Sequence, residues 1–285
     1  MPRPTTTATL LGLLAAGAVH AGAALAQTAA PAPAVSPVPP ASPQTQAQGA
    51  AGDDASQDID PRAVEVLRAA TDFLAAQQTL SVDWFVSTDT VIDGREKLTE
   101  MGSGGIVLDR AAGFVAHSET GMKSRAFFYD RKSVNILDIE ADAYVTAPFD
   151  GELEALVARI KAEYDVVLPI WSVLSRDTAA EFLEAAEHAA YVGPTRISGR
   201  PAHHLAFSNY DYDWQVWVAD DADRPEILMI VGTDPYQQGW PQYRAYLSNW
   251  NFAPEIDPAA FTYAPDETAE RMAWPKVAEL HDGQE

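Results

Sequence analysis

The sequence predicts an α+β fold, an antiparallel sheet with helices over one of its faces. Three observations carry this. Apolar residues follow helical spacing in two regions only, one opening the folded part and one in its middle. Elsewhere they alternate with period two over short runs. The joints between those runs are short polar or glycine turns. Such joints link antiparallel neighbours and leave no room for a parallel crossover. A sheet of this kind needs cover on one face, and the two helical regions are the cover available.

The chain opens with Arg3 and an apolar run over residues 8–16, and Ala24-Leu25-Ala26 gives the small-x-small pattern a signal peptidase accepts. Residues 1–26 are expected to be a secretory signal cleaved after Ala26. His20 and the interspersed Gly and Ala dilute the run below the roughly 20 strongly apolar residues of a spanning helix. No twin arginine is present, so the general secretion route is expected. Residues 27–57 are mostly Ala, Pro, Gln, Ser and Gly. The stretch 31–40 can build neither core nor helix, and a disordered linker is expected there. One domain is expected over residues 58–275, with a flexible tail over 276–285.

Asp60 suits an N-cap and Pro61 the first helical position. Ala63, Val66, Leu67, Ala70, Phe73 and Leu74 then predict a helix over residues 61–77. From Ser81 the period becomes two, with Val82, Trp84 and Val86 on one side. Asp93-Gly94 marks a hairpin, and the next strand covers 96–108. Gly102, Gly104 and Gly105 within it are expected to mark a bulge or sharp bend. Strands follow at 113–119, 125–129, 134–139 and 143–147. Asp150 is expected to cap a helix carrying Leu153, Leu156, Val157, Ile160 and Tyr164. A short piece from Pro169 carries Trp171 and Leu174, and Asp177 caps a third with Phe182, Leu183 and Ala186 inward. Strands resume at Tyr191-Val192, 203–208, 213–219, 226–232 and 241–251. Asp257-Pro258-Ala259 predicts a helical turn, and residues 261–263 a last strand.

The composition excludes several functions. There is no cysteine, hence no disulfide, no thiolate chemistry and no lipid-modified cysteine. A formal net charge of −22 repels phosphate backbones and anionic membrane surfaces. No nucleic acid partner is expected, and no integral membrane protein.

Nothing in the text forms a catalytic set. Gly-x-Ser-x-Gly is absent, and Ser103 lies between glycines in a strand rather than at a strand-to-helix elbow. His203 and His204 are adjacent on a strand and point to opposite faces, so they cannot share a metal. A hydrolase would have to join one of them to Asp211 or Asp213. Asp220-Asp221-Ala222-Asp223 lacks the glycine and distal glutamate of a calcium loop. No catalytic residue, metal or cofactor is expected. The informative residues are aromatic: Trp84, Tyr129, Trp171, Trp214, Trp217, Tyr246 and Trp250. Each read alone is a core residue. As a group they are the candidates to line an apolar cavity between sheet and lid, the kind of site that takes lipid or acyl chains.

Several phrases point to a family. They are Tyr191-Val192-Gly193-Pro194, the run Ile197-Ser198-Gly199-Arg200-Pro201-Ala202-His203-His204-Leu205-Ala206-Phe207, and Asp213-Trp214-Gln215-Val216-Trp217. Further on come Trp250-Asn251-Phe252-Ala253-Pro254-Glu255 and Phe261-Thr262-Tyr263-Ala264-Pro265. The first half adds Asp60-Pro61-Arg62-Ala63 and Phe127-Phe128-Tyr129-Asp130-Arg131-Lys132. In this order they resemble the bacterial family of predicted periplasmic proteins called domain of unknown function 2092, over about residues 59–265. That family is similar in fold to the lipoprotein carrier LolA, the receptor LolB and the regulatory protein RseB. The resemblance implies a strongly curved, half-open antiparallel barrel with helices as a lid over an apolar cavity, and it carries over no catalytic residues. The expectation is a soluble, exported, non-catalytic periplasmic protein that holds a lipid, an acyl chain or a lipoprotein. The alternatives are a module binding an envelope protein and, third, the hydrolase.

Overall fold

The computed structural model describes residues 58–164, 166, 168, 170–274 and 276. The expected signal segment and linker, and the expected tail beyond Lys276, lie outside the described residues.

The first meander is β2 (Thr79–Ile92), β3 (Glu96–Asp109), β4 (Gly113–Thr120), β5 (Lys123–Tyr129), β6 (Ser133–Asp138) and β7 (Ala143–Pro148). Ahead of it stand β1 (Asp58–Ile59) and α1 (Pro61–Ala76). After it come the lid helices α2 (Leu153–Tyr164), α3 (Trp171–Leu174) and α4 (Thr178–Glu184). The second meander is β8 (His188–Ile197), β9 (Arg200–Ser208), β10 (Asp213–Ala219), β11 (Ile227–Thr233) and β12 (Gln242–Asn251). A 3-10 helix (Pro258–Phe261) and β13 (Glu270–Arg271) complete the described chain.

The 13 strands of the described residues form one sheet, in the order β1-β8-β9-β10-β11-β12-β2-β3-β4-β5-β6-β7-β13. The two meanders meet where β12 pairs antiparallel with β2, Tyr246 opposite Phe85. Only the outermost pairs are parallel: Asp58–Ile59 along His188–Ala189, and Glu270–Arg271 along Ala143–Tyr144. The expected architecture, a curved antiparallel sheet left open with a helical lid, is the one observed. One apolar core runs under both meanders, from Leu80 and Trp84 through Phe114 and Tyr129 to Leu205, Trp214 and Ile230.

Local chemistry explains the elements. Asp60 takes the Arg62 N–H on its side chain at 2.8 Å and caps α1, whose Ala63, Leu67, Ala70 and Leu74 are buried. Its other carboxylate oxygen accepts the Tyr191 N–H at 3.1 Å, so one residue starts the helix and ties it to β8. Asp93 and Gly94 both have positive φ, as the expected tight turn requires, and so do Ser198 and Gly199 between β8 and β9.

Four sequence expectations are corrected. Gly102, Gly104 and Gly105 mark no bulge: β2 and β3 pair without a break from Thr79↔Asp109 to Ile92↔Glu96. Gly104 is glycine because a Cβ there would lie 2.3 Å from both the Trp84 ring and the His117 carbonyl oxygen. The bulges fall at Tyr191/Gly193, Trp217/Val218 and Ser248/Asn251. Asp150 does not stand at the helix start: α2 begins at Leu153, after Glu152, and the Gly151 carbonyl accepts the Tyr129 hydroxyl at 2.7 Å. Asp177 precedes α4 but its side chain makes no cap bond. Phe261 ends the 3-10 helix and packs into the protein at 2% exposure, so no strand forms over 261–263; the last strand is Glu270–Arg271.

Arg110, just after β3, clasps the lid to the rest. It is 7% exposed and donates to the carbonyls of Gln77 at 3.0 Å, Leu74 at 3.4 Å and Leu174 at 2.8 Å. Glu154 of α2 sits 3.7 Å away. Burial first, then Arg176, lowers the guanidinium pKa, and Glu154 opposes them. The end of α1 and the lid helices α2 and α3 therefore share one cation.

Candidate functional site

The lid meets the sheet over β10, β11 and β12. Trp214 comes from β10, Ile230 from β11, and Tyr243 and Ala245 from β12; Tyr212 stands just before β10. Ile170, Ser172, Val173, Glu181 and Phe182 face them from the lid. Between them lies a cavity of about 30 Å³. A water molecule needs about 10–15 Å³, so the space holds one or two waters with the lid closed. An acyl chain needs the lid to lift.

Alternation along the strands builds this wall. In β10 the side chains of Trp214, Val216 and Val218 are buried toward the helices. The Trp214 ring stacks on Phe207 of β9 with centroids 5.8 Å apart and planes 10° from parallel. Trp214 is 2% exposed, and its indole N–H is buried with no acceptor among the described residues. Burial, aided by Asp234, pushes the Tyr212 hydroxyl pKa up to about 12, and burial alone pushes Tyr243 up to about 12. Both stay protonated. Burial, then the neighbouring Asp177, raises the Glu181 carboxyl above its ordinary value, against a hydrogen bond with Ser175.

The seven aromatic candidates separate. Trp84, Tyr129, Trp171, Trp214 and Trp250 are buried in the one core. Of the seven, Trp214 lies on the cavity wall. Trp84 covers Gly104, and Trp250 donates its N–H to the Ile227 carbonyl at 3.0 Å. Trp217 and Tyr246 stand on the outer face, each directly across from Met229 of β11. Trp217 stacks on His204 at 4.3 Å, and Tyr246 is 39% exposed opposite Phe85, itself 46% exposed. An aromatic row thus crosses β9 to β2 outside the sheet. Sequence reading missed Tyr212, Tyr243 and Glu181. Tyr243 had a usable signal, sharing strand parity with Ala245 and Leu247, which are buried.

The histidines do not meet the acids proposed for them. His203 Nδ1 bonds the Tyr191 hydroxyl at 2.9 Å, and its Nε2 lies 3.1 Å from Asp220. His204 Nε2 bonds the Gln215 side chain at 2.9 Å. Asp213 stands opposite Ser208 while Val218 stands opposite His203, and five residues of strand separate them by roughly 17 Å. Among the described residues no three His, Asp or Glu side chains gather as a metal site would, and no helix is long and apolar enough to cross a membrane.

Comparison with known families matches residues 63–273 to the one described as "Predicted periplasmic protein (DUF2092)". Comparison with curated proteins finds no match. Among solved structures, LprF from Mycobacterium bovis is 14% identical with a TM-score of 0.44, over 70% of this chain and 98% of that one. A LolA superfamily protein from Nitrosomonas europaea is 13% identical with a TM-score of 0.31, over 70% and 97%. MucB in complex with MucA(peri) is 12% identical with a TM-score of 0.39, over 71% and 60%.

Proposed function

The chain belongs to the family of predicted periplasmic proteins DUF2092, and from that premise we propose that it is a non-catalytic binding protein of the periplasm that holds an acyl chain, of a lipid or a lipidated partner, between lid and sheet. Residues 1–26 direct export and are removed after Ala26, and residues 27–57 act as a spacer. The observation that carries the reading is the apolar cavity under α3 and α4. Its sheet wall belongs to the rigid core, while its lid wall hangs on two helices of four and seven residues. Helices this short are not stable by themselves, so the lid is the side that yields.

Native mass spectrometry of protein purified from the periplasm tests this directly, with a co-purifying acyl ligand as the expected result. The absence of cysteine adds a second readout. A single Ser172→Cys thiol on the lid wall should react with a maleimide slowly, and more slowly still with ligand present. Failure to load any acyl compound, with labelling unchanged throughout, would retire the reading.

A second reading, docking of an envelope protein, is favoured by the outer aromatic row of Trp217, Tyr246 and Phe85. In-cell crosslinking from a photoreactive residue at position 85 should then capture one specific partner, and Tyr246→Ser should abolish the capture.

A further inference from the structure

The cavity walls are mostly carbon, and three of the side chains on them carry a hydrogen-bond donor on an aromatic ring. Trp214 contributes a buried N–H with no acceptor among the described residues. Tyr212 and Tyr243 line the same space and carry hydroxyls that can donate. A buried donor without a partner is costly, and in a native structure it calls for an explanation. The charges around the site point the same way. Glu181 is on the wall, Asp177 lies beside Glu181, and Asp234 beside Tyr212. Among the described residues no Lys or Arg side chain lines the cavity.

We propose that the cavity selects a neutral acyl ligand, an ester or an amide, and rejects the free carboxylate of the same chain. The carbonyl oxygen accepts the Trp214 N–H, with the Tyr212 and Tyr243 hydroxyls as further donors. The first carbons of the chain lie against Ile170, Val173, Phe182 and Ile230. A carboxylate would find the same donors but would stand beside Glu181, with no Lys or Arg among the lining residues to offset it. Like charges at short range in a poorly hydrated site repel strongly. This inference rests on the cavity being the binding site, and adds to it which head group is admitted.

The test measures binding of three ten-carbon probes at pH 7.5, below their micellar concentrations, by calorimetry on the mature chain. They are monodecanoylglycerol, N-decanoyl-alaninamide and decanoate. The two neutral probes should bind at least about tenfold more tightly than decanoate. The ester and amide arms separate a glycerolipid source from an N-acylated lipoprotein source. Trp214→Phe keeps the ring and removes the N–H; it should weaken the neutral probes about three- to tenfold, the loss of one hydrogen bond. Tyr243→Phe, which removes one hydroxyl, gives an independent check should Trp214→Phe fold poorly. Glu181→Gln should narrow the gap by improving decanoate. Equal binding of all three probes, or neutral-probe affinity unmoved by both Trp214→Phe and Tyr243→Phe, overturns the selectivity while leaving the cavity as the site. Binding of none of them overturns the cavity reading itself, and the selectivity with it.

Discussion

Gly104 and Trp84 show how one residue type dictates another. The Trp84 ring lies where a Cβ on the opposing strand would be, and the His117 carbonyl closes the other side at the same 2.3 Å. One of the two contacts is backbone, so a side chain at 104 cannot be relieved by a rotamer change. Gly104→Ala should cost about 1–3 kcal/mol through overpacking, read as a lower urea midpoint at unchanged slope. Two carboxyls respond to acid with opposite sign. At Asp89 burial works to raise the pKa, but Thr99, the Gln242 N–H, Lys97 and Arg244 outweigh it, and the folded value lies below the ordinary 3.8. Its contribution is complete above about pH 4 and is lost as pH falls through the folded value. Glu181 is raised above 4.5, so its cost is absent at low pH and grows as pH rises through the folded value. Thermal melts should therefore show Glu181→Gln more stable than the parent at pH 7.5 and equal to it near pH 4. Asp89→Asn should be less stable at pH 7.5, with the gap closing toward pH 3.

At the scale of elements, the hinge between legible and illegible is strand parity. Successive side chains alternate faces, so Trp214 and Trp217, three apart on β10, face oppositely. That much was readable, and grouping them as lining one cavity ignored it. Tyr246 and Trp250 are four apart and share parity, yet one is outside and one is core. The bulge between Ser248 and Asn251, with Asn249 at positive φ, flips the register, and a lone Ser-Asn pair inside an alternating run is a weak sign of it. The helical lid was legible from the spacing of Leu153, Leu156 and Ile160, which are buried. Its attachment was not, because Arg110 sits in a turn and its partners are backbone carbonyls as far away as Leu174. Arg110→Ala should cost about 2–4 kcal/mol, since it removes a buried donor shared by three carbonyls, of which the Leu74 carbonyl keeps the Gln77 N–H. Amide exchange in α3 and α4 should speed up more than in β3, where the strand ladder is untouched.

At the scale of the molecule, the two meanders were visible in the sequence as runs of period two, and each is built of neighbours in chain order. Their union was not visible. It depends on β12 pairing with β2 across more than a hundred and fifty residues, as the Asp89 bond to the Gln242 N–H illustrates. No local pattern records such a partnership. β11 carries its trace: every residue from Ile227 to Thr233 is buried, the mark of a strand covered on both faces. On the outer face the cover for Met229 is Trp217 and Tyr246.

The open sheet has β8 and β7 as its outermost long strands, and the two-residue strands β1 and β13 lie along them. β13 reaches β7 through Glu270 and Met272, whose N–H groups bond the carbonyls of Asp142 and Tyr144 at 2.8 Å, and Thr268 holds Asp142 at 2.6 Å. An unguarded strand edge is a template for another chain. A protein shortened to end before Asp266 should keep its helical and strand signals in circular dichroism yet elute as oligomers on gel filtration, increasingly so with concentration. The two exposed residues of β13, which line no cavity, thus act as an insurance against polymerisation: a stopper whose loss would leave every copy with a vacancy that its neighbours are shaped to fill.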